Sequence, residues 1–298
     1  MTHPIQVSFE FFPPNGSAAA TNLWAVIQRL APLRPKFVSV TYGADGSTRT
    51  RTHDCVQRIL RETDLTVAPH LTCVGAPREE ILNIARDYWN SGVRDLVALR
   101  GDPAGDALSD PWGPRRYEPY PGGFAYASDL VAGLKSVAPF EIAVAAYPEG
   151  HPESGTVEAD LDNLQRKADA GATRAITQFF FDTDAFLRYR DKYVARGIKT
   201  SLVPGILPIT RIQQLVRFAT RCGASVPDWL IKRFEGLDDD LHTRSIIAAN
   251  VAIEQVQRLR EHGVEKFHFY TLNRAELTYA ICHALGVRPQ NAQQTQAA

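Results

Sequence analysis

What the chain lacks narrows its class first. Its 298 residues hold four cysteines, Cys55, Cys73, Cys222 and Cys282, and none stands in C-x-x-C spacing. That argues against a zinc site or a disulfide framework and fits a reducing cytoplasm. Charge of one sign is also missing: 33 Lys plus Arg balance 33 Asp plus Glu. No basic run exceeds a pair such as Arg115-Arg116, so no polyanion partner, nucleic acid included, is expected. No apolar run is long enough to span a bilayer, and Met1-Thr2-His3-Pro4 carries no signal-peptide pattern, so a cytoplasmic location without membrane contact is expected. Neither H-x-x-x-H nor H-E-x-x-H occurs, which sets a metal aside. No G-x-S-x-G marks an acyl-transfer serine.

What is present is ordinary globular composition, 44% hydrophobic and 22% charged, with a regular alternation of strand and helix signals. Eight strands are predicted: Ile5–Phe11, Phe37–Tyr42, Thr66–Cys73, Asp95–Arg100, Glu141–Tyr147, Arg174–Phe180, Ser201–Ile206 and Lys266–Thr271. Amphipathic helical patterns lie between them, among them Arg78–Asn90, Glu158–Ala170, Thr183–Ala195, Arg211–Arg221 and Arg244–His262. Gly92, Gly171, Gly197 and Gly263 each close a helix just before a strand, where a left-handed cap suits glycine. Strands alternating with helices imply parallel βαβ units, and eight of them imply a (β/α)8 TIM-type barrel of the α/β class. The absence of G-x-G-x-x-G after the first strand lowers the Rossmann alternative. One catalytic barrel domain over 1–298 is expected, with an ordered core of about 5–288 and a polar tail at 289–298.

Period-two alternation puts Gln6, Ser8 and Glu10 on one face of the first strand and Val7, Phe9 and Phe11 on the other. Extended to the second and fourth strands, it predicts bulky apolar side chains against the helices and small or polar ones toward the axis. Pro103–Gly123 is too long for a bare connector and reads as a lid or an insertion.

Catalytic groups of such barrels gather at the C-terminal strand ends. The chain places Glu10 there, within Ser8-Phe9-Glu10-Phe11-Phe12-Pro13-Pro14. Two readings stand on this stretch alone: desolvation in an aromatic run would keep the carboxyl protonated near neutral pH, as a general acid requires, or the glutamate points into solvent at a strand end. The other ends carry Thr41, His70, Thr72, Arg100-Gly101-Asp102, Tyr147, His151, Gln178 and Tyr270 to Arg274. Arg100-Gly101-Asp102 reads either as a ligand-flanking cation and carboxylate or as a tight turn with a local ion pair. Cys282-His283 reads as helix neighbours facing apart, and Asp238-Asp239-Asp240 as acids at a helix N-terminus.

The motifs Ser8-Phe9-Glu10-Phe11-Phe12-Pro13-Pro14, Val38-Ser39-Val40-Thr41-Tyr42-Gly43-Ala44, Ala68-Pro69-His70-Leu71-Thr72-Cys73, Ala98-Leu99-Arg100-Gly101-Asp102, Ala145-Ala146-Tyr147-Pro148-Glu149, Ile176-Thr177-Gln178-Phe179-Phe180-Phe181 and Phe267-His268-Phe269-Tyr270-Thr271-Leu272-Asn273-Arg274 occur in this order. Together they resemble the methylenetetrahydrofolate reductase family. The resemblance implies a barrel holding FAD non-covalently. A nicotinamide, NADH or NADPH, would reduce the flavin, which then reduces 5,10-methylenetetrahydrofolate to 5-methyltetrahydrofolate. It assigns Glu10 as the general acid that opens the imidazolidine ring and Asp102 as the carboxylate favouring the developing cation. It implies FAD contacts at Thr41, Tyr42, Ala44, His70, Arg100, Gly101, Asp102, Tyr126, Ala127, Tyr147, His151, Asp160, Asn163, Arg166 and Lys167. Substrate contacts are implied at Gln178, Gln214, Phe218, Tyr270 and Arg274, with Phe218 as an adaptable aromatic wall. A homo-oligomer is expected, and no S-adenosylmethionine control, because the chain ends with the barrel. The Pro103–Gly123 segment departs from the family's compact bacterial members by its length. Two other functions stay open from the residues alone: a cofactor-free barrel hydrolase or lyase using Glu10 and Asp102, and a non-catalytic folate or flavin carrier.

Overall fold

The computed structural model describes residues 4–42, 49–102, 117–209 and 211–289. Ala44, most of the Pro103–Gly123 segment and the tail from 290 onward lie outside the described residues. In chain order the elements are β1 (Gln6–Phe11), α1 (Ser17–Leu30), β2 (Val38–Val40), α2 (Arg49–Glu62), β3 (Val67–Thr72), α3 (Arg78–Asn90), β4 (Asp95–Leu99) and α4 (Ala127–Val137). Then follow β5 (Glu141–Ala146), α5 (Val157–Asp169), β6 (Arg174–Thr177), α6 (Thr183–Ala195), β7 (Ser201–Val203), β8 (Gly205–Ile206) and α7 (Ile212–Cys222). The chain finishes with α8 (Asp228–Phe234), α9 (Leu241–Glu261), β9 (Lys266–Tyr270) and α10 (Ala275–Ala284).

All strand pairings are parallel, in the order β7-β6-β5-β4-β3-β2-β1-β9-β8. The expected strand Ser201–Ile206 is divided at Pro204, which brings no N–H to a ladder. Its first half pairs with β6 and its second with β9, so this one stretch brings the sheet back onto itself as a nearly closed barrel. The four predicted glycine caps have φ of 97° at Gly92, 111° at Gly171, 70° at Gly197 and 81° at Gly263. Asp240 caps α9 through the Thr243 N–H at 3.0 Å, as the acidic run predicts. Cys282 is buried in the core while His283 stacks on Tyr279.

The core has two compartments. Phe9, Phe11, Val40, Leu71, Leu96, Ala98 and Val144 pack outward against the helices. Phe37, Ala68, Val97, Ala143, Ile176 and Val203, with Leu99 against them, fill the axis. The expected division of bulky outward and small inward therefore fails on β4, where Val97 and Leu99 point in. The lower half of a closed barrel has to be filled by its own side chains, whatever happens above. Below this plug, Arg174 pairs with Asp95 at 2.7 Å and lies over the Phe37 ring. The C-terminal half of the axis is polar, and the site is there.

Candidate active site

Glu10 leaves β1 toward the axis with its side chain only 13% exposed. Its Oε2 lies 3.4 Å from His70 Nε2 on β3 and 3.7 Å from His268 Nε2 on β9. Burial raises the carboxyl; the imidazoles of His268 and His70 outweigh that and bring it down to about 2. The expectation of a protonated acid is thus reversed by the groups the protein itself sets around it. Its reason was aromatic neighbours, but Phe9 and Phe11 pack outward, and histidines are what the carboxylate meets. Burial pushes the His268 imidazole down while Glu10 pulls it up. Ser8 Oγ lies 2.8 Å from His268 Nδ1. Ser8 Oγ is also 3.3 Å from the Phe267 carbonyl; its one proton serves either acceptor, and when it goes to Nδ1 the ring proton sits on Nε2, facing the Glu10 carboxylate. His268 also stacks on Phe37, which keeps the ring in place. Sequence reasoning missed His268 as a site residue. Its signal was parity: it shares the inward face of β9 with Tyr270.

A strained turn fixes this strand end. Leu272 and Asn273 both have left-handed φ, 50° and 53°, and the Arg274 N–H donates to the Thr271 carbonyl at 2.9 Å. This is a mirror-image turn, in which a leucine costs on the order of 1 kcal/mol. Hydrogen bonds to the β1 exit hold it. The Asn273 side-chain amide accepts from Phe12 N–H at 2.9 Å and donates to the Phe12 carbonyl at 3.0 Å. The Thr271 hydroxyl donates to the Glu10 carbonyl at 2.6 Å. The backbone is therefore pinned at Glu10 and at Phe12. Asn273 tolerates the left-handed region, which was the readable hint of a turn.

Tyr270 crosses the mouth and donates its hydroxyl to the Thr177 carbonyl at 2.7 Å. Gly205 makes room for it: a Cβ there would sit 2.5 Å from the Tyr270 ring and 2.3 Å from the Thr177 carbonyl. Gln178 is half-buried at the end of β6, its Oε1 accepting the Phe179 N–H. Phe218 on α7 stacks on Phe179 at 5.3 Å between centroids yet is 46% exposed, leaving a free aromatic face. Gln214, one turn earlier on α7, and Arg274 are exposed at the rim.

The opposite side of the mouth is built around Arg100. Its guanidinium lies over the Tyr117 ring, 4.4 Å to the centroid, and is held by both oxygens of Glu153, one at 3.1 Å. Gly101 follows with φ 83°. Asp102 is exposed there, close enough to bias Arg100, Tyr147 and His151. It belongs to this group and is not an ion-pair neighbour of the imidazoles around Glu10. Tyr147 meets the His151 ring edge-on at 4.7 Å. Burial raises the Tyr147 phenol and lowers the His151 imidazole. Asp160 spends its carboxylate on this loop, accepting the His151 N–H and, at 2.8 Å, the Ser154 hydroxyl. Asn163 accepts from Arg166. Lys167 reaches back from α5 to the Ala145 carbonyl at 2.6 Å, and its burial lowers the ammonium to about 8.

The remaining sequence-derived residues sit between these two sides or beyond them. Thr41 donates its N–H to the Phe11 carbonyl and receives the Thr52 hydroxyl. Tyr42 is buried, its hydroxyl accepting from Arg49. Tyr126 precedes α4, which begins at Ala127, and donates its N–H to Asp129. Among the described residues no cluster of three His, Cys, Asp or Glu is placed to hold a metal ion.

A family model described as "Methylenetetrahydrofolate reductase" matches residues 2–286. The chain is 53% identical over 286 residues to proteins named 5,10-methylenetetrahydrofolate reductase from Salmonella typhimurium and Escherichia coli K12, covering 96% of this chain and 92% of each relative. It is 34% identical to an Arabidopsis thaliana protein named Methylenetetrahydrofolate reductase (NADH) 1, covering 94% of this chain and 48% of that one. Among solved structures, a Clostridium thermocellum protein described as binding two copies of 5-methyl-5,6,7,8-tetrahydrofolic acid shares the fold, with a TM-score of 0.63 at 15% identity and 96% coverage of both chains.

Proposed function

The chain belongs to the methylenetetrahydrofolate reductase family and is an oxidoreductase, and we propose that it carries hydride from NADH or NADPH to 5,10-methylenetetrahydrofolate through bound FAD. The two half-reactions alternate at one site. The observation that carries this reading is Glu10, a nearly enclosed carboxyl between two imidazoles at the open end of the barrel. Opening the folate's five-membered ring needs a proton on the departing nitrogen, from a group within reach of it. Glu10 is ionised at rest, so its proton arrives with the folate: covering the mouth removes the remaining solvent, raises the carboxyl, and lets it take a proton from water as the site closes. The iminium that forms is a cation, and the carboxylate of Asp102, on the Arg100 side of the mouth, would favour it.

The residues present fit a flavin dinucleotide. Ser39 Oγ and Thr72 Oγ1, on the axis side of β2 and β3, are buried without a partner among the described residues. The polar edge of a flat ring would satisfy such orphans. FAD would supply the hydride-carrying ring. Arg100, Arg166 and Lys167 are the cations available to its diphosphate, and Thr41, His70, Tyr147 and His151 line the path between them. Gln178 offers one amide to a pterin or to a nicotinamide, and the free face of Phe218 serves either ring. One adaptable wall for two successive substrates is what ping-pong turnover requires. No described helix is long and apolar enough to cross a membrane; a cytoplasmic homo-oligomer is part of the same proposal.

The test is spectroscopic. Purified protein is expected to be yellow, to bleach with NADH or NADPH under anaerobic conditions, and to recover its colour on adding methylenetetrahydrofolate. A colourless protein that takes up no added FAD overturns the cofactor assignment. Reduced flavin that the folate fails to reoxidise overturns the substrate assignment.

A further inference from the structure

The helix that carries the aromatic wall is thinly anchored. Of the 11 residues of α7, Leu215 and Ala219 are the buried ones. Gln214 and Phe218 stand out from it at the rim, and Phe218 stacks on Phe179 with its other face exposed. Two apolar anchors one turn apart make a narrow stripe. What holds the ends of the helix therefore decides where Phe218 stands.

At the start of α7 the Gln213 amide donates to the Asp238 carboxylate at 3.1 Å, between exposed groups. At its end the chain turns through Gly223, with φ 71°, and meets the loop from β5 to α5. There Glu149 accepts the Ser225 N–H at 3.1 Å with one carboxylate oxygen and the Ser225 hydroxyl with the other. The backbones are close as well: a Cβ on Gly223 would stand 2.8 Å from the Gly150 carbonyl and 2.9 Å from the Pro152 ring. Further along the same loop, His151 meets Tyr147 and Glu153 holds Arg100. One short loop thus joins the end of α7 to the cofactor side of the mouth. A carboxylate that takes two hydrogen bonds from one residue fixes direction as well as distance.

We propose that Glu149 is a positioning residue for both substrates: by clamping Ser225 it sets the end of α7, and with it the height of Phe218 over the site. The inference rests on the reading of Phe218 as a wall for nicotinamide and pterin in turn. A ring that stacks on a fixed wall keeps its full contact energy, whereas a ring that must first still a rocking helix loses part of it to ordering. Phe218 meets the flat ring before and during hydride transfer alike. A contact made equally in both states changes affinity and leaves the limiting rate alone.

The experiment follows both half-reactions of FAD-loaded Glu149→Ala by stopped flow across substrate concentration. The dissociation constants of nicotinamide and folate are expected to rise together, about three- to tenfold, with limiting rates within about twofold of normal. FAD affinity, read by flavin fluorescence, should not change. Amide hydrogen exchange across Ile212–Cys222 is expected to quicken about tenfold in the same variant. Glu149→Gln should restore every value, because its amide oxygen accepts the Ser225 N–H and its NH2 donates to the hydroxyl. Ser225→Ala keeps the N–H bond, loses the other, and should fall between; should Glu149→Ala fail to fold, Ser225→Ala decides. Unchanged substrate affinities in a Glu149→Ala protein that merely melts earlier, a change confined to one substrate, or a Glu149→Gln as weak as Glu149→Ala each overturns the clamp. An unaltered protein whose flavin the nicotinamide fails to reduce, or the folate fails to reoxidise, overturns the underlying reading instead.

Discussion

On the β9–β1–β3 side of the mouth, Glu10 stands among groups that are buried themselves. His268 is wedged between Phe37 and Ser8, and the strand end is pinned by Asn273 and Thr271. On the β4–β5 side, Arg100 is held by Glu153, whose side chain is 49% exposed and free to leave. The first side holds its carboxylate through the protein's own buried groups. The second keeps its cation occupied with a replaceable anion. A proton-transfer group needs a fixed position, because misplacement by an ångström forfeits much of its effect. A dinucleotide phosphate site needs a charge that can change partners. Under the proposed function, the contrast puts proton transfer on the first side, and FAD binding together with Asp102 on the second.

The comparison breaks most visibly through Arg100 and Glu153, which should move cofactor affinity in opposite directions. Arg100→Ala removes charge-assisted hydrogen bonds worth about 1.5–3 kcal/mol each, so FAD affinity is expected to fall about 10- to 100-fold. Glu153→Gln removes the competing anion and is expected to tighten FAD about threefold. Titration of the apoprotein by flavin fluorescence reads both, and a Glu153→Gln variant that binds FAD more weakly would show that Glu153 supports the cofactor.

Asn273→Ala is expected to act on the other side alone. It loses two hydrogen bonds to Phe12 and keeps an unfavourable φ, about 2–4 kcal/mol in total. Melting should drop by several degrees, and reoxidation of reduced flavin by the folate should slow about tenfold, because Glu10 sits on the freed strand end. Flavin reduction by the nicotinamide should be unchanged in stopped flow. Equal slowing of both half-reactions would mean the turn serves the fold only.

Much of this architecture was legible. Strand and helix alternation with terminal glycines marked the barrel, because those signals are local: period, cap and turn. The contents of the axis were not. Val97 and Leu99 alternate with Ala98 in a pattern that reads the same inward or outward, and only closure of the ring decides which set fills the lower half. The carboxylate at position 10 stood out in sequence, but its partners did not: His70 and His268 lie two strands and one strand away, at separations of 60 and 258 residues, and no local rule joins them. Glu153, which holds Arg100, was likewise invisible on its loop.

The smallest expected effect separates the two sides by pH. A carboxyl at about 2 in the folded chain, against an ordinary value of 4.5 when unfolded, stabilises the fold above pH 4.5. That contribution is lost as pH falls toward 2. Glu10→Gln should therefore flatten the acid limb of the melting curve over this window, and an acid limb of unchanged slope would show that Glu10 is not held ionised.

The central claim, that Glu10 is the acid for the folate and idle toward the nicotinamide, is tested most directly by stopped flow on Glu10→Gln. The variant should hold FAD, be reduced by NADH or NADPH at the normal rate, and fail to be reoxidised by methylenetetrahydrofolate. Normal reoxidation by the folate would contradict it.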